Sequence, residues 1–224
     1  MLNPDRKFWN AQQQVLRQLL ALTDTHQQAI DLFLNQHAML HAAEMSHAGL
    51  WSFEDEVLEG VTAGQMRQIP RTFDHSIVWI LWHTTRIEDV TMNLLVAGSP
   101  QVLLQEGWLK KMNITLSDTG NAMPPDSVAE LSRTVNIEAL REYRLSVGRR
   151  TRTIANLLQP EDLKQKVDSS RLQQITRQAA VRAAASDVLD YWGGLTLAGL
   201  LLMPPTRHTF IHWNEALRVK QKFG

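Results

Sequence analysis

Apolar residues recur at steps of three and four along most of this chain, the period of a helix buried on one face. No run of alternating strand-like segments and no internal repeat interrupts that pattern. It predicts a first helical region over 4–22 that restarts near Asp24 and continues to residue 46, with Thr23 or Asp24 as N-cap. Gly60, Gly64 and Pro70 then punctuate 49–70 into a connection with one short helical piece. A second long helix is expected over 74–97, closed by Gly98-Ser99-Pro100. The stretch 101–126, with its DTGNAMPPDS run, is the loosest, carrying one short helix over 102–111; connections of that length often form a lid or pocket wall. A third long helix follows from an N-cap at Asp126 or Ser127 to residue 159, and another spans 177–202 with a break at Gly193-Gly194. Pro204-Pro205-Thr206 is expected to stop the chain and recap a last helix over 207–222. The fold class is therefore all-α: an antiparallel helical bundle with crossover connections, in one domain spanning 1–224.

Composition narrows the chemistry. The 224 residues carry 23 Lys and Arg against 23 Asp and Glu, a formal net charge of zero, and no cysteine. Thiolate nucleophiles, thiolate zinc sites and disulfide frameworks are excluded together, so a metal must sit on His, Asp or Glu. Zero net charge disfavours a nucleic-acid coat or an anionic-membrane binder, which draw affinity from excess Lys and Arg. The longest apolar stretch, 195–203, is far too short to span a bilayer, and the opening MLNPDRKFWNAQQQ lacks the apolar core of a signal peptide. The expectation is a cytoplasmic protein acting on a small-molecule substrate, with a two-fold homodimer as the commonest assembly at this size. GxGxxG, P-loop, HExxH and GxSxG motifs are all missing, so nucleotide binding and serine hydrolysis lack support.

Among the eight histidines, two pairs lie four apart, His37 with His41 and His208 with His212. One helical turn sets such rings on the same face, where both can converge on one ion. His83 sits on the inward stripe Ile80, His83, Ile87, Val90, Leu94, and the last helix has a matching stripe of His208, Ile211, His212, Glu215 and Val219. His83, His208 and His212 would thus meet across the bundle interior, and three imidazoles leave coordination positions open, as a catalytic site requires. The competing reading makes them core histidines bonded to neighbours. His37 and His41 share a face with Ile30, Leu34 and Met45 and are expected to line a pocket or support the ligands rather than ligate. His75 and His26, near helix starts, are expected to be exposed, and EMSH, ending at His47, is one Glu-x-x-His motif where a di-iron bundle needs two. Arg86 and Asp89 have the spacing of a surface salt bridge, Arg149, Arg150 and Arg152 that of a solvated face. Trp79, Trp82 and Trp213 flank the candidate ligands as pocket wall or core.

HSIVWILWHTTRIEDVTMNLL and RHTFIHWNEALRV carry a resemblance. The chain resembles the DinB/YfiT-like superfamily of metal-dependent four-helix-bundle proteins, a group related to thiol-dependent S-transferases and mycothiol-dependent maleylpyruvate isomerases. Members carry one metal-ligating histidine in the second helix and an HxxxH pair in the last; His83 matches the first position, His208 and His212 the pair. WSFEDEVLEG, ending at Gly60, is similar to the segment before the second helix in these proteins. The chain departs from the pattern in 164–203, longer than a minimal member needs, which implies an extra helix beside the bundle. Related isomerases can use a glutamate ligand, and here the nearest carboxylates are Glu88, Asp89 and Glu215. Glu215, three residues beyond His212, fits an orienting partner or general base better, because a ligating imidazole usually donates its other N–H to an oxygen. The resemblance implies a divalent ion, zinc or nickel, and a metal-dependent transferase, isomerase or hydrolase. Thiol-dependent chemistry would need a low-molecular-weight thiol from outside the chain. The alternative is a non-catalytic helical binding or interaction module.

Overall fold

The computed structural model describes residues 4–223. Among them there is no β-strand, only an isolated antiparallel bridge between Lys166 and Thr196, and the helices form a bundle. None of these helices is long and apolar enough to cross a membrane.

Helix α1 (Pro4–Ala21) lies on α2 (His26–Ala38). The short α3 (Phe53–Leu58) and α4 (Ala63–Arg67) lead into α5 (Ile77–Asp89), which continues as a π-helix over Val90–Ala97. Two short helices, α6 (Val102–Gln105) and α7 (Trp108–Met112), precede α8 (Pro125–Thr134) and the long α9 (Ile137–Leu157). Then come α10 (Ser169–Arg177), α11 (Ser186–Gly193), α12 (Leu197–Leu202), a π-helical turn over Met203–His208, and α13 (Thr209–Lys220). Helix α5 packs against α9 on one side and α13 on the other, while α2 packs against α9 and the Met203–His208 turn. These contacts close a four-helix ring, with α1 and α12 packed together outside it.

Several expected helices are interrupted, each for a visible reason. The second begins at His26 behind Thr25 and ends at Ala38, eight residues before the expected stop. Beyond it the backbone leaves the helix to serve tertiary partners: the Leu40 carbonyl accepts from Arg144 Nη2 and Trp213 Nε1, and the His41 carbonyl accepts from Ser52 Oγ. The 49–70 connection holds two short helices rather than one, capped by Ser52 and by a Thr62/Gln65 capping box. The helix expected over 102–111 is divided at Gly107, which takes φ +67°. The one expected from Asp126 or Ser127 starts at Pro125, with proline in the first turn, and is cut at Val135 before Asn136 recaps α9. The 177–202 helix is instead two helices, α11 and α12, preceded by α10; only the break at Gly194 is as expected.

Pro204 and Pro205 do not stop the chain. The helical path passes through them as a π-turn, and side-chain donors reach carbonyls of the preceding turn. Thr206 Oγ1 donates toward the Leu201 and Leu202 carbonyls at 2.9 and 2.8 Å, and Gln13 Nε2 also donates to Leu202 O.

The apolar core lies in two large clusters. One contains Ile77 to Trp82 of α5, Leu140, Tyr143 and Val147 of α9, and Trp213; the other contains Phe33, Ile87, Leu94, Ile154 and Leu201. Where each long helix passes from one cluster to the other it carries buried polar groups: His37 on α2, His83 to Arg86 with Glu88 and Asp89 on α5, and Arg144 and Thr151 on α9. Burying such groups is costly unless they are paired, so this polar layer is where chemistry should be sought.

Candidate metal centre

His83 projects from the middle of α5 and is 3% exposed. His208 closes the π-turn and His212 lies one turn further along α13, so the interruption at Pro204-Pro205 aims both rings at α5. One ring nitrogen from each of His83, His208 and His212 lies within 4.8 Å of the others. Ring centroids are separated by 5.0 Å for His83 and His208, 4.8 Å for His83 and His212, and 4.5 Å for His208 and His212. The sequence expectation that these three meet across the interior agrees with this placement.

The groups behind the rings set their tautomers. His83 Nδ1 donates to the Thr119 carbonyl at 2.5 Å, and His212 Nδ1 donates to Glu215 Oε2 at 2.9 Å. With protons fixed on Nδ1, both Nε2 lone pairs are free to accept a cation, the arrangement that supports metal-bound imidazoles. His83 Nε2 lies 3.2 Å from His208 Nε2. His208 Nδ1 is buried and has no hydrogen-bond partner among the described residues, so this ring is the least constrained of the three.

Burial disfavours protonation of the His83 and His208 rings. Burial, reinforced by the neighbouring His212, pushes His83 down to about 3, and burial with its two imidazole neighbours lowers His208 well below the ordinary histidine value. Both rings are thus neutral near pH 7, as metal ligands must be. Burial alone would raise Glu215, but hydrogen bonds from His212 and His75 and their charges outweigh it and hold the carboxyl at about 2.

The long connection after α5 forms a wall of this centre. Arg86 donates through Nη2 to the Ser117 carbonyl at 2.7 Å, Asp118 pairs with Arg182 at 3.0 Å, and Thr119 N donates to Ala180 O. Gly120 follows at φ +84°, where a Cβ would meet the Trp79 ring at 3.3 Å and His83 Nδ1 at 3.5 Å, so only glycine lets the loop lie so close. Asp89 and Arg86 are not a surface pair: both side chains are fully buried, 2.9 Å apart, and Asp89 also accepts from Tyr143 and from the Val102 and Leu103 amides. This network ties α5, α9 and the start of α6 together rather than serving the histidines.

His75, expected to be exposed, is half-buried and donates from Nδ1 to Glu215 Oε1 at 2.9 Å. It stacks on Trp79 at 3.6 Å, and Trp79 stacks on His83 at 4.6 Å. The spacing of His75, Trp79 and His83 at four-residue steps signalled that shared face. The Thr119 carbonyl had no sequence signal at all. Trp79, Trp82 and Trp213 all belong to the core; of them Trp79 also stacks on His83 as a wall of the centre, and Trp213 donates to Leu40 O. His26, also expected to be exposed, is partly buried and contacts the Leu158 carbonyl at 2.9 Å.

His37 and His41 face inward and form a second group with Glu88. His37 Nε2 donates to Glu88 Oε1 at 2.8 Å and His41 Nε2 to Oε2 at 2.9 Å, with all three side chains fully buried. Burial would raise Glu88, yet the two imidazoles hold it well below the usual carboxylate range; burial and Arg144 push His41 down to about 3. Two observations separate this group from the first. Neither Nδ1 atom has a hydrogen-bond partner among the described residues, so an ion on both Nε2 atoms would bury two Nδ1–H groups without an acceptor, against one, that of His208, in the first group. Gly148 also closes against His41: a Cβ there would approach Nδ1 to 2.9 Å. The second group forms a buried clamp on an ionised carboxylate, joining the end of α2 to α5, and its three side chains also lie close enough together to hold a metal ion.

No curated protein matches the chain. A family model for the DinB superfamily matches residues 54–189, more than half of the chain, including His83 and Glu88 but ending before His208 and His212. With a helical bundle and a histidine group compatible with a metal site already in view, the chain belongs to the DinB superfamily.

Proposed function

We propose that the protein is a metal-dependent enzyme in which His83, His208 and His212 hold one divalent ion, zinc or nickel, and that it uses a low-molecular-weight thiol for S-transfer or isomerisation. One observation carries this reading: three imidazole nitrogens converge within 4.8 Å while Thr119 O and Glu215 stand behind two of the rings. Three neutral nitrogen ligands leave coordination positions open and suit several first-row ions. When bound, the ion supplies Lewis acidity, lowering the pKa of a water or thiol that reaches it toward neutrality.

The protein's own groups have separable tasks. His83 is held rigid between the Trp79 ring and the Thr119 carbonyl. Glu215 orients His212 and, both oxygens being engaged by imidazole N–H groups, works as an orienting group rather than a free general base. The Thr119–Gly120 wall covers His83 and keeps bulk water from its Nδ1 side. The thiol comes from a separate molecule because the chain contains no cysteine.

The test combines binding with turnover. Untagged protein titrated with Zn2+ or Ni2+ should take up one equivalent, and His83→Ala should lose that uptake while keeping its helical circular dichroism. Loaded wild type should then either consume free thiol in the presence of an electrophilic acceptor, for S-transfer, or isomerise an unsaturated substrate only when thiol is present, with the thiol returned, and His83→Ala should do neither. Metal uptake with neither thiol consumption nor thiol-dependent isomerisation across substrate classes would favour a non-catalytic binding module, and absence of uptake would overturn the metal centre itself.

A further inference from the structure

Glu215 has two carboxylate oxygens and divides them between two imidazoles: Oε2 accepts from His212 Nδ1 and Oε1 from His75 Nδ1, each at 2.9 Å. A carboxylate bonded through one oxygen alone can rotate about its terminal torsion, which is broad and roughly two-fold, and so lose its aim. A second donor on the other oxygen removes that freedom. His75 is itself held, because its ring lies 3.6 Å from the Trp79 ring at an interplanar angle of 7°, and Trp79 lies over His83 at 11°. The stack and the carboxylate thus form a closed circuit: α5 supplies His83 and Trp79, the residue before its N-cap supplies His75, and α13 supplies Glu215 and His212.

We infer that His75 is a positioning residue of the metal centre, locking Glu215 so that the Glu215 carboxylate keeps the Nδ1–H tautomer of His212 and leaves its Nε2 free to ligate. The inference rests on the metal-centre reading above and adds a fourth histidine that acts through another group. Two substitutions separate the stack from the hydrogen bond. His75→Phe retains an aromatic ring on Trp79 and removes the donor; His75→Asn restores a donor near the Nδ1 position and removes the ring.

Zn2+ affinity is measured by competition with a chromophoric chelator on untagged protein. The Phe variant should bind about 10-fold more weakly than wild type, the lower end of the effect of losing an outer hydrogen-bond partner, and the Asn variant should stay within about 3-fold of wild type. Long-range 1H–15N spectra of metal-free protein give an independent readout: His212 should be the Nδ1–H tautomer in wild type and Asn, and a mixture in Phe. Equal affinity and an unchanged His212 tautomer in Phe would overturn the inference, as would a loss in Asn as large as or larger than that in Phe; a loss confined to Asn would assign His75 to its ring stack on Trp79. If wild type takes up no Zn2+ but Phe still scrambles the His212 tautomer, the positioning role stands and the metal reading falls.

Discussion

His83 and His208 point their Nε2 atoms at each other across 3.2 Å. Because His83 Nδ1 already donates to Thr119 O, the proton between them in metal-free protein sits on His208, and a cation bound by both rings would take that proton's place. Ligand binding to the native state alone stabilises it by about 2.7 kcal/mol at 100 times Kd. Zn2+ added in that excess should raise the thermal midpoint of wild type and leave His208→Ala unmoved in differential scanning fluorimetry; an equal rise in both would place the ion elsewhere.

Glu88 is expected to serve the fold rather than a metal ion. Glu88→Ala removes the acceptor shared by His37 and His41 and strands two buried N–H donors. The expected loss is about 2–5 kcal/mol in urea unfolding, with metal stoichiometry unchanged. Loss of an equivalent of metal together with that carboxylate would make the second group a metal site instead.

Acid should destabilise the metal-free protein well above the usual carboxylate range. His41 is held at about 3 against an ordinary value of 6.5, so between those limits the unfolded chain binds a proton that the folded one does not. Its contribution is complete above pH 6.5 and is lost as pH falls toward 3, at about 1.4 kcal/mol per pH unit for one such group. Glu88, also lowered, adds a loss of the same sign below its ordinary 4.5. Urea midpoints in the presence of a chelator should therefore fall steadily from pH 7 to pH 5. A flat profile over that interval would contradict neutral buried histidines.

The π-turn before α13 depends on Thr206, whose hydroxyl serves the Leu201 and Leu202 carbonyls and also faces Gln13 Nε2. Thr206→Val keeps the shape and removes those bonds. It should cost about 1–3 kcal/mol in denaturant unfolding and, because His208 ends the same turn, weaken Zn2+ binding as well. Unchanged affinity in this variant would show that the turn does not aim His208.

Periodicity placed the three histidines well because it reports which face of a helix is buried. His83 falls on the stripe of Ile80 and Ile87, and the HxxxH spacing of His208 and His212 holds even though the first of them ends a π-turn. It failed where backbone groups are claimed by distant partners. Nothing local marks the chain after Ala38 as leaving the helix, because the donors that take its carbonyls come from Arg144, Trp213 and Ser52. Arg86 and Asp89 have a spacing that fits a surface pair as well as a buried one, and only their contacts with Tyr143 and Gln101 separate the two. The acceptor behind His83 is a main-chain carbonyl, which no residue type encodes.

Elemental analysis of untagged protein by mass spectrometry, wild type beside His208→Ala, tests the central claim most directly. The account predicts close to one equivalent of zinc or nickel per chain in wild type and its loss in the variant, with the helical content of both unchanged. No metal in wild type, or the same amount in both, would contradict it and return His83, His208 and His212 to the role of core histidines.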